Sequence, residues 1–132
     1  MPAITALYAG LIAILLFIVA GRVSGLRRTH NVGIGDGGRE DLARAIRVHG
    51  NAVEWALPAL LLLLIAELNR APAILLHVAG IVLVIARVLH ALGLSGQSGY
   101  SFGRFSGAAT TYIVVLVLAI WDIWAFVRLL LI

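Results

Sequence analysis

Apolar and polar positions fall along this chain in long blocks, without the short periods of a soluble fold. Residues 3–21 carry no charge before Arg22. The apolar run at 55–66 is too short to cross a bilayer by itself, so its helix must reach back through Glu54, Asn51 and Arg47. A third run covers 72–94 and encloses His77, Arg87 and His90; a fourth covers 105–131 and is interrupted near its end by Asp122 and Arg128. A bilayer core of about 30 Å needs roughly 20 residues of helix. Transmembrane helices are therefore expected at about 3–23, 40–66, 72–94 and 105–131. The first has no basic stretch before it and no small-residue cleavage site, which reads as an anchor and not as a removed signal. Polar or glycine-rich loops are expected at 24–41 and 93–103, with a tight turn at 67–71. The pattern predicts an all-α integral membrane protein, a four-helix bundle in one domain over 1–132.

Composition sharpens this reading. Hydrophobic residues make up 62% and charged residues only 12%, with a mean hydropathy of +1.07. A soluble domain carries about 25% charged residues. Ten arginines and no lysine stand against six acids, a net charge of +4. That balance does not point to nucleic acid here, because the cations lie between apolar runs and form no solvated patch. The absence of cysteine excludes disulfides, thiolate-ligated metals and a protein thiol nucleophile. Arg22, Arg27, Arg28 and Arg39 flank or occupy the first loop and Arg104 closes the third, whereas Arg70 and Arg128 are alone on the other side. Loops one and three are thus expected in the cytoplasm, with both termini opposite. Trp121 and Trp124 suit an interfacial belt at the outer end of the fourth helix. Asp122 and Arg128, close by, are expected to reach headgroups or neighbouring protomers.

The second helix carries the most informative pattern. At 3.6 residues per turn, Glu40, Arg44, Arg47, Asn51 and Glu54 share an arc of about 80°. This stripe runs from the interface into the membrane and cannot face lipid, since a central charge costs at least ~2.5 kcal/mol there. Arg47 and Glu54 could simply neutralise one another and knit the bundle. However, Arg44, Arg47, Arg87 and Arg104 converge toward one half of the membrane with Glu54 as the only deep acid. A surplus of buried arginine wants an anion the chain does not supply, and the guanidinium fork matches a carboxylate.

The run Arg47-Val-His-Gly-Asn51-Ala-Val-Glu54-Trp55, followed by Pro58, resembles the second-helix signature of the MAPEG family, membrane-associated proteins in eicosanoid and glutathione metabolism. The glycine-rich loop at 33–38 is similar to that of bacterial members, which points to a bacterial inner membrane. Arg87-x-x-His90 and Arg104-x-x-Gly107 match further stations. The resemblance implies a homotrimer that binds glutathione between protomers near the cytoplasmic side. It implies contacts to glutathione from Arg47, Asn51 and Glu54, with Arg44, Arg87 and His90 as further binding candidates and Arg104 as the catalytic arginine near the sulfur. Glu54 would answer the glutamyl ammonium and Arg47 a carboxylate, while Asn51 could donate to one group and accept from another. Arg22, Arg27 or Arg28 could add a carboxylate contact from the first helix. The sequence departs from the pattern at Trp55 and Leu94, where active relatives often carry tyrosine. Tyr112 is expected to lie too deep to replace them.

Other signals carry less. Residues 33–38 satisfy G-x-G-x-x-G, but no strand precedes them, and an interhelical loop explains the glycines. His49 points away from the stripe, and His77 is isolated in an apolar helix; both read as packing or hydrogen-bonding residues. Four scattered histidines make no metal site. The function implied is conjugation of glutathione to an apolar electrophile, or reduction of a lipid hydroperoxide by glutathione, with the lipid-like substrate entering from the bilayer to meet the thiolate. A non-catalytic scaffold or lipid-binding member is the alternative. A small proton-coupled exporter fits less well, because the first helix has no acid and arginines repel cationic drugs.

Overall fold

The computed structural model of the chain describes residues 1–96, 99 and 101–131. Among them are four helices, α1 (Ala3–His30), α2 (Glu40–Leu68), α3 (Ala73–Gly96) and α4 (Phe102–Leu130), each long and apolar enough to cross a membrane. Short connections make successive helices antiparallel. The end where α2 and α4 begin is the polar end of the bundle.

Two boundaries differ most from those expected, for one reason: apolar runs measure the membrane, whereas backbone hydrogen bonding measures the helix. α1 does not stop near residue 23 but continues to His30, where Asn31 adopts a left-handed conformation (φ 54°) and its N–H reaches the Arg27 and Arg28 carbonyls. Arg27, Arg28 and His30 in this last turn oppose the negative end of the helix dipole. Arg22, Arg27 and Arg28 therefore stand on a helix, and the first connection is only 31–39. α4 begins at Phe102, ahead of residue 105, because the Ser101 side chain caps it by accepting from the Arg104 N–H. The expected third loop falls partly on residues 97, 98 and 100, outside the described residues.

α2 is the central helix. It packs against α1, α3 and α4, while the backbones of α1 and α4 do not approach closely among the described residues. Its buried face is built from Ala45, Ala52, Ala56, Ala59 and Ala66, with Leu42, Val48 and Leu63 between them. Small residues let helix backbones approach in lipid, where no hydrophobic gain drives helices together. Glycine does the same between α3 and α4. A Cβ at Gly107 would lie 2.6 Å from the Ala86 carbonyl oxygen and from the His90 nitrogen. Away from the polar end, Tyr8, Ile12, Leu76, Leu83 and Leu118 form the main core. The Tyr8 hydroxyl and His77 Nδ1 share a hydrogen bond of 2.8 Å, so His77 is tied into the packing. The outer surface carries Phe17, Ile74, Ile113 and Phe126, apolar groups suited to hydrocarbon.

Candidate functional site

At the polar end, α2, α3 and α4 form an open cavity of about 360 Å³. Helical spacing explains its walls. Arg47 and Asn51 come from consecutive turns of α2, His90 and Leu94 from consecutive turns of α3, and Arg104, Ala108 and Tyr112 from three turns of α4. Ser101 and Phe105 complete the lining. No acidic residue lines it among the described residues.

Arg47 Nη1 donates to Glu54 Oε1 at 3.3 Å, and the two side chains are 64% and 52% exposed. The pair is open to the outside of the single chain. In hydrocarbon that exposure is untenable, so this face of α2 needs cover from another protein surface or from water. Glu54 thus acts on the cavity through Arg47 and does not line it. Pro58 cannot donate to the Glu54 carbonyl, which frees that oxygen from the helix ladder one turn below the motif.

Behind the wall, Arg87 is almost fully buried at 1% exposure. Its Nη2 donates to Asn51 Oδ1 at 3.0 Å, and its Nε has no partner among the described residues. Arg87 uses one lone pair of the Asn51 oxygen, which leaves the second lone pair and the N–H groups of that side chain for a ligand. Arg87 supports the wall and adds positive field without lining the cavity. Arg44 is also outside it, held to Glu40 at 2.8 Å.

His90 lines the cavity and is buried. Its Nδ1 lies 2.9 Å from the Arg104 carbonyl oxygen, an acceptor only, so Nδ1 carries the proton and donates. Nε2 is then an acceptor if the ring is neutral; it is buried and unpartnered among the described residues. The Ser101 hydroxyl donates to the Gly93 carbonyl at 2.9 Å. These two bonds pin the first turn of α4 to the end of α3 and so aim Arg104. Its Nη1 also donates to the Gly99 carbonyl at 3.4 Å.

Tyr112 is not too deep to belong here. It is eight residues beyond Arg104, two turns along the same face, and lines the same cavity. Trp55 packs against it, with ring centroids 4.4 Å apart. The first-helix arginines are not brought to this cavity within one chain; Arg27, for example, donates to the Val32 and Gly33 carbonyls. Sequence reasoning also missed Ser101, Phe105 and Ala108. The i, i+4 series through Arg104 was the signal available for Ala108 and Tyr112. In the first connection, Gly35, Gly37 and Gly38 have positive φ and Asp36 Oδ1 accepts from the Gly38 N–H, a tight turn between helices. Among the described residues, no cluster of His, Asp and Glu is arranged to hold a metal.

The model of one family, the MAPEG family, matches residues 5–124 of this chain. Inner membrane protein YecN of Escherichia coli strain K12 is 38% identical over 121 residues, covering 92% of this chain and 91% of that protein. Inner membrane protein YecN of the O6:H1 strain of Escherichia coli matches to the same extent.

Proposed function

Because the chain belongs to the MAPEG family, we propose that it is a glutathione-dependent membrane enzyme that conjugates glutathione to an apolar electrophile or reduces lipid hydroperoxides. The observation that carries this reading is the charge of the cavity: Arg47 and Arg104 in its lining, Arg87 behind it, and no acid in its wall among the described residues. Such a cavity suits a ligand with more than one carboxylate. Arg47 can bind one as a two-pronged clamp, Asn51 can donate beside it, and Glu54 at the rim can take an ammonium. Glutathione carries these groups and supplies the sulfur nucleophile, which fits a chain that has no cysteine.

Arg104 has the electrostatic role. A free thiol has a pKa of about 8.5, and a fixed cation nearby favours the thiolate. Arginine keeps its charge throughout, so the thiol proton goes to solvent through the open cavity. Tyr112 offers a hydroxyl in the same lining, beside the Trp55 that stands where active relatives often have tyrosine. It is the donor available to the oxygen of an opening epoxide, or to the alkoxide expelled when the thiolate takes the terminal oxygen of a hydroperoxide. A second glutathione then converts the sulfenic acid formed to the disulfide and water. Phe105 and Ala108 form an apolar side by which a lipid-like substrate can enter from the bilayer. Holding both reactants there is catalysis by proximity and charge stabilisation, without a covalent enzyme intermediate.

The same reading includes a homotrimer, in which a neighbouring copy covers the exposed Arg47–Glu54 face and closes the cavity. It also includes a bacterial inner membrane with the polar end in the cytoplasm, following the arginine bias. A non-catalytic binding or scaffold role is the second reading, favoured by Trp55 and Leu94 at stations where relatives use tyrosine.

The test is calorimetry with glutathione on the detergent-purified oligomer, with Arg47→Ala beside it. Saturable binding that Arg47→Ala weakens by about thirtyfold, equivalent to about 2 kcal/mol, supports the site. Turnover of an electrophile or hydroperoxide by the same preparation then separates enzyme from scaffold. If an intact oligomer shows no binding at millimolar glutathione, the proposal fails.

A further inference from the structure

The opposite end of the bundle holds a second concavity, of about 530 Å³, where the turn between α2 and α3 meets the last turns of α4. Arg70 and Arg128 contribute its charge, Trp121 and Trp124 its aromatic wall, and Leu68 and Leu129 an exposed apolar rim.

The chemistry of these groups is one-sided. No acid lines the concavity among the described residues, and neither arginine has an ion pair there. The two nearby acids are turned to other uses. Glu67 spends both carboxylate oxygens on the first amides of α1, accepting from Ile4 and Thr5 at 3.0 and 2.7 Å. Asp122 does not reach outward as its position near the helix end suggested. Its carboxyl oxygens are buried without partners among the described residues, because its face of α4 turns inward. The arginines are also preset. Arg70 stands in a left-handed turn conformation (φ 60°), and the Arg128 guanidinium lies 5.5 Å from the centre of the Trp124 ring, which packs on Trp121 at 4.9 Å. Tryptophan favours the headgroup level of a bilayer, and arginine clamps phosphate oxygens in pairs.

We propose that this concavity binds a phosphate group, supplied by the headgroup of an anionic phospholipid. Arg70 and Arg128 bracket the phosphodiester, the tryptophans hold the glycerol region at the interface, and Leu68 and Leu129 meet the first acyl carbons. A soluble phosphate would leave the tryptophan and leucine walls without a role; a lipid uses all six groups and is already concentrated at this depth. The site is independent of glutathione binding at the other end.

Native mass spectrometry of the detergent-purified protein, titrated with phosphatidylglycerol or phosphatidylcholine of matched chains, tests it. The expected result is one phosphatidylglycerol per chain that survives dilution, with phosphatidylcholine held more weakly by roughly one order of magnitude. Arg70→Gln/Arg128→Gln should lose that lipid, while Arg27→Gln/Arg28→Gln at the polar end should keep it. The single variants Arg70→Gln and Arg128→Gln, each weakening retention, serve if the double variant does not fold. Equal retention of both lipids, or undiminished phosphatidylglycerol on the folded Arg70→Gln/Arg128→Gln variant, overturns the proposal. Displacement of the lipid by millimolar inorganic phosphate overturns the lipid as occupant and gives the site to a soluble ion.

Discussion

Arg104 reaches the cavity from a first turn held at three points: its N–H on Ser101 Oγ, its carbonyl on His90 Nδ1, and Ser101 itself on Gly93. A cation held this way needs little reorganisation when negative charge forms on sulfur, which is why one preset group can carry much of a rate. Arg104→Ala is expected to abolish the ultraviolet absorbance of bound thiolate and to lower turnover by about 10²-fold, while leaving most of the glutathione affinity. Thiolate absorbance equal to wild type in that variant would falsify the assignment. Tyr112→Phe removes a hydroxyl and keeps the ring contact with Trp55. If Tyr112 donates to a leaving oxygen, turnover falls with glutathione affinity unchanged; an unaltered rate reduces Tyr112 to packing.

Within elements, the energetics turn on how helix ends and helix contacts are satisfied. α1 has no side-chain cap of its own at Pro2, and Glu67 from the far end of α2 takes that role across the bundle. A carboxylate on the first amides also meets the positive end of the helix dipole. Glu67→Ala should cost about 1 kcal/mol, read as a lower melting temperature in detergent with glutathione binding at the polar end intact. Gly107 has a different task, because a side chain there would strike the α3 backbone. Gly107→Val should destabilise by roughly 1–3 kcal/mol and move Arg104 as well, so affinity and rate should fall with stability. A Gly107→Val protein with wild-type melting and kinetics would show that α3 and α4 do not need this close approach.

For the molecule as a whole, the decisive quantity is the exposure of Arg47 and Glu54 in a chain that belongs to a multi-pass membrane family. An ion pair open to hydrocarbon is costly, and the proposed cover by a second copy would relieve that cost and close the cavity. Light scattering of the detergent complex is expected to give a protein mass three times the 14.0 kDa of one chain. A monodisperse monomer that binds glutathione normally would remove the need for a neighbouring copy.

The sequence by itself determined the membrane class, the four spans and the second-helix stripe, because each depends on hydropathy or helical period summed over many residues. Arg47 and Asn51 were legible from that helical period, and His90 and Arg104 from the likeness of their stations to the family; their convergence on one cavity depended on the helix pairing. Helix ends were less legible. Water permits α1 to run past its last apolar residue, and Asn31, with its left-handed geometry, decides where it stops. Only the tertiary structure separated the arginines, assigning Arg47 and Arg104 to the lining, Arg87 to support of Asn51, and Arg44 to Glu40. It also brought Tyr112 beside Trp55 and turned Asp122 inward. Those outcomes depend on which face of one helix meets which face of another, and on which polar atom is nearest after packing. Periodicity along a single chain carries neither.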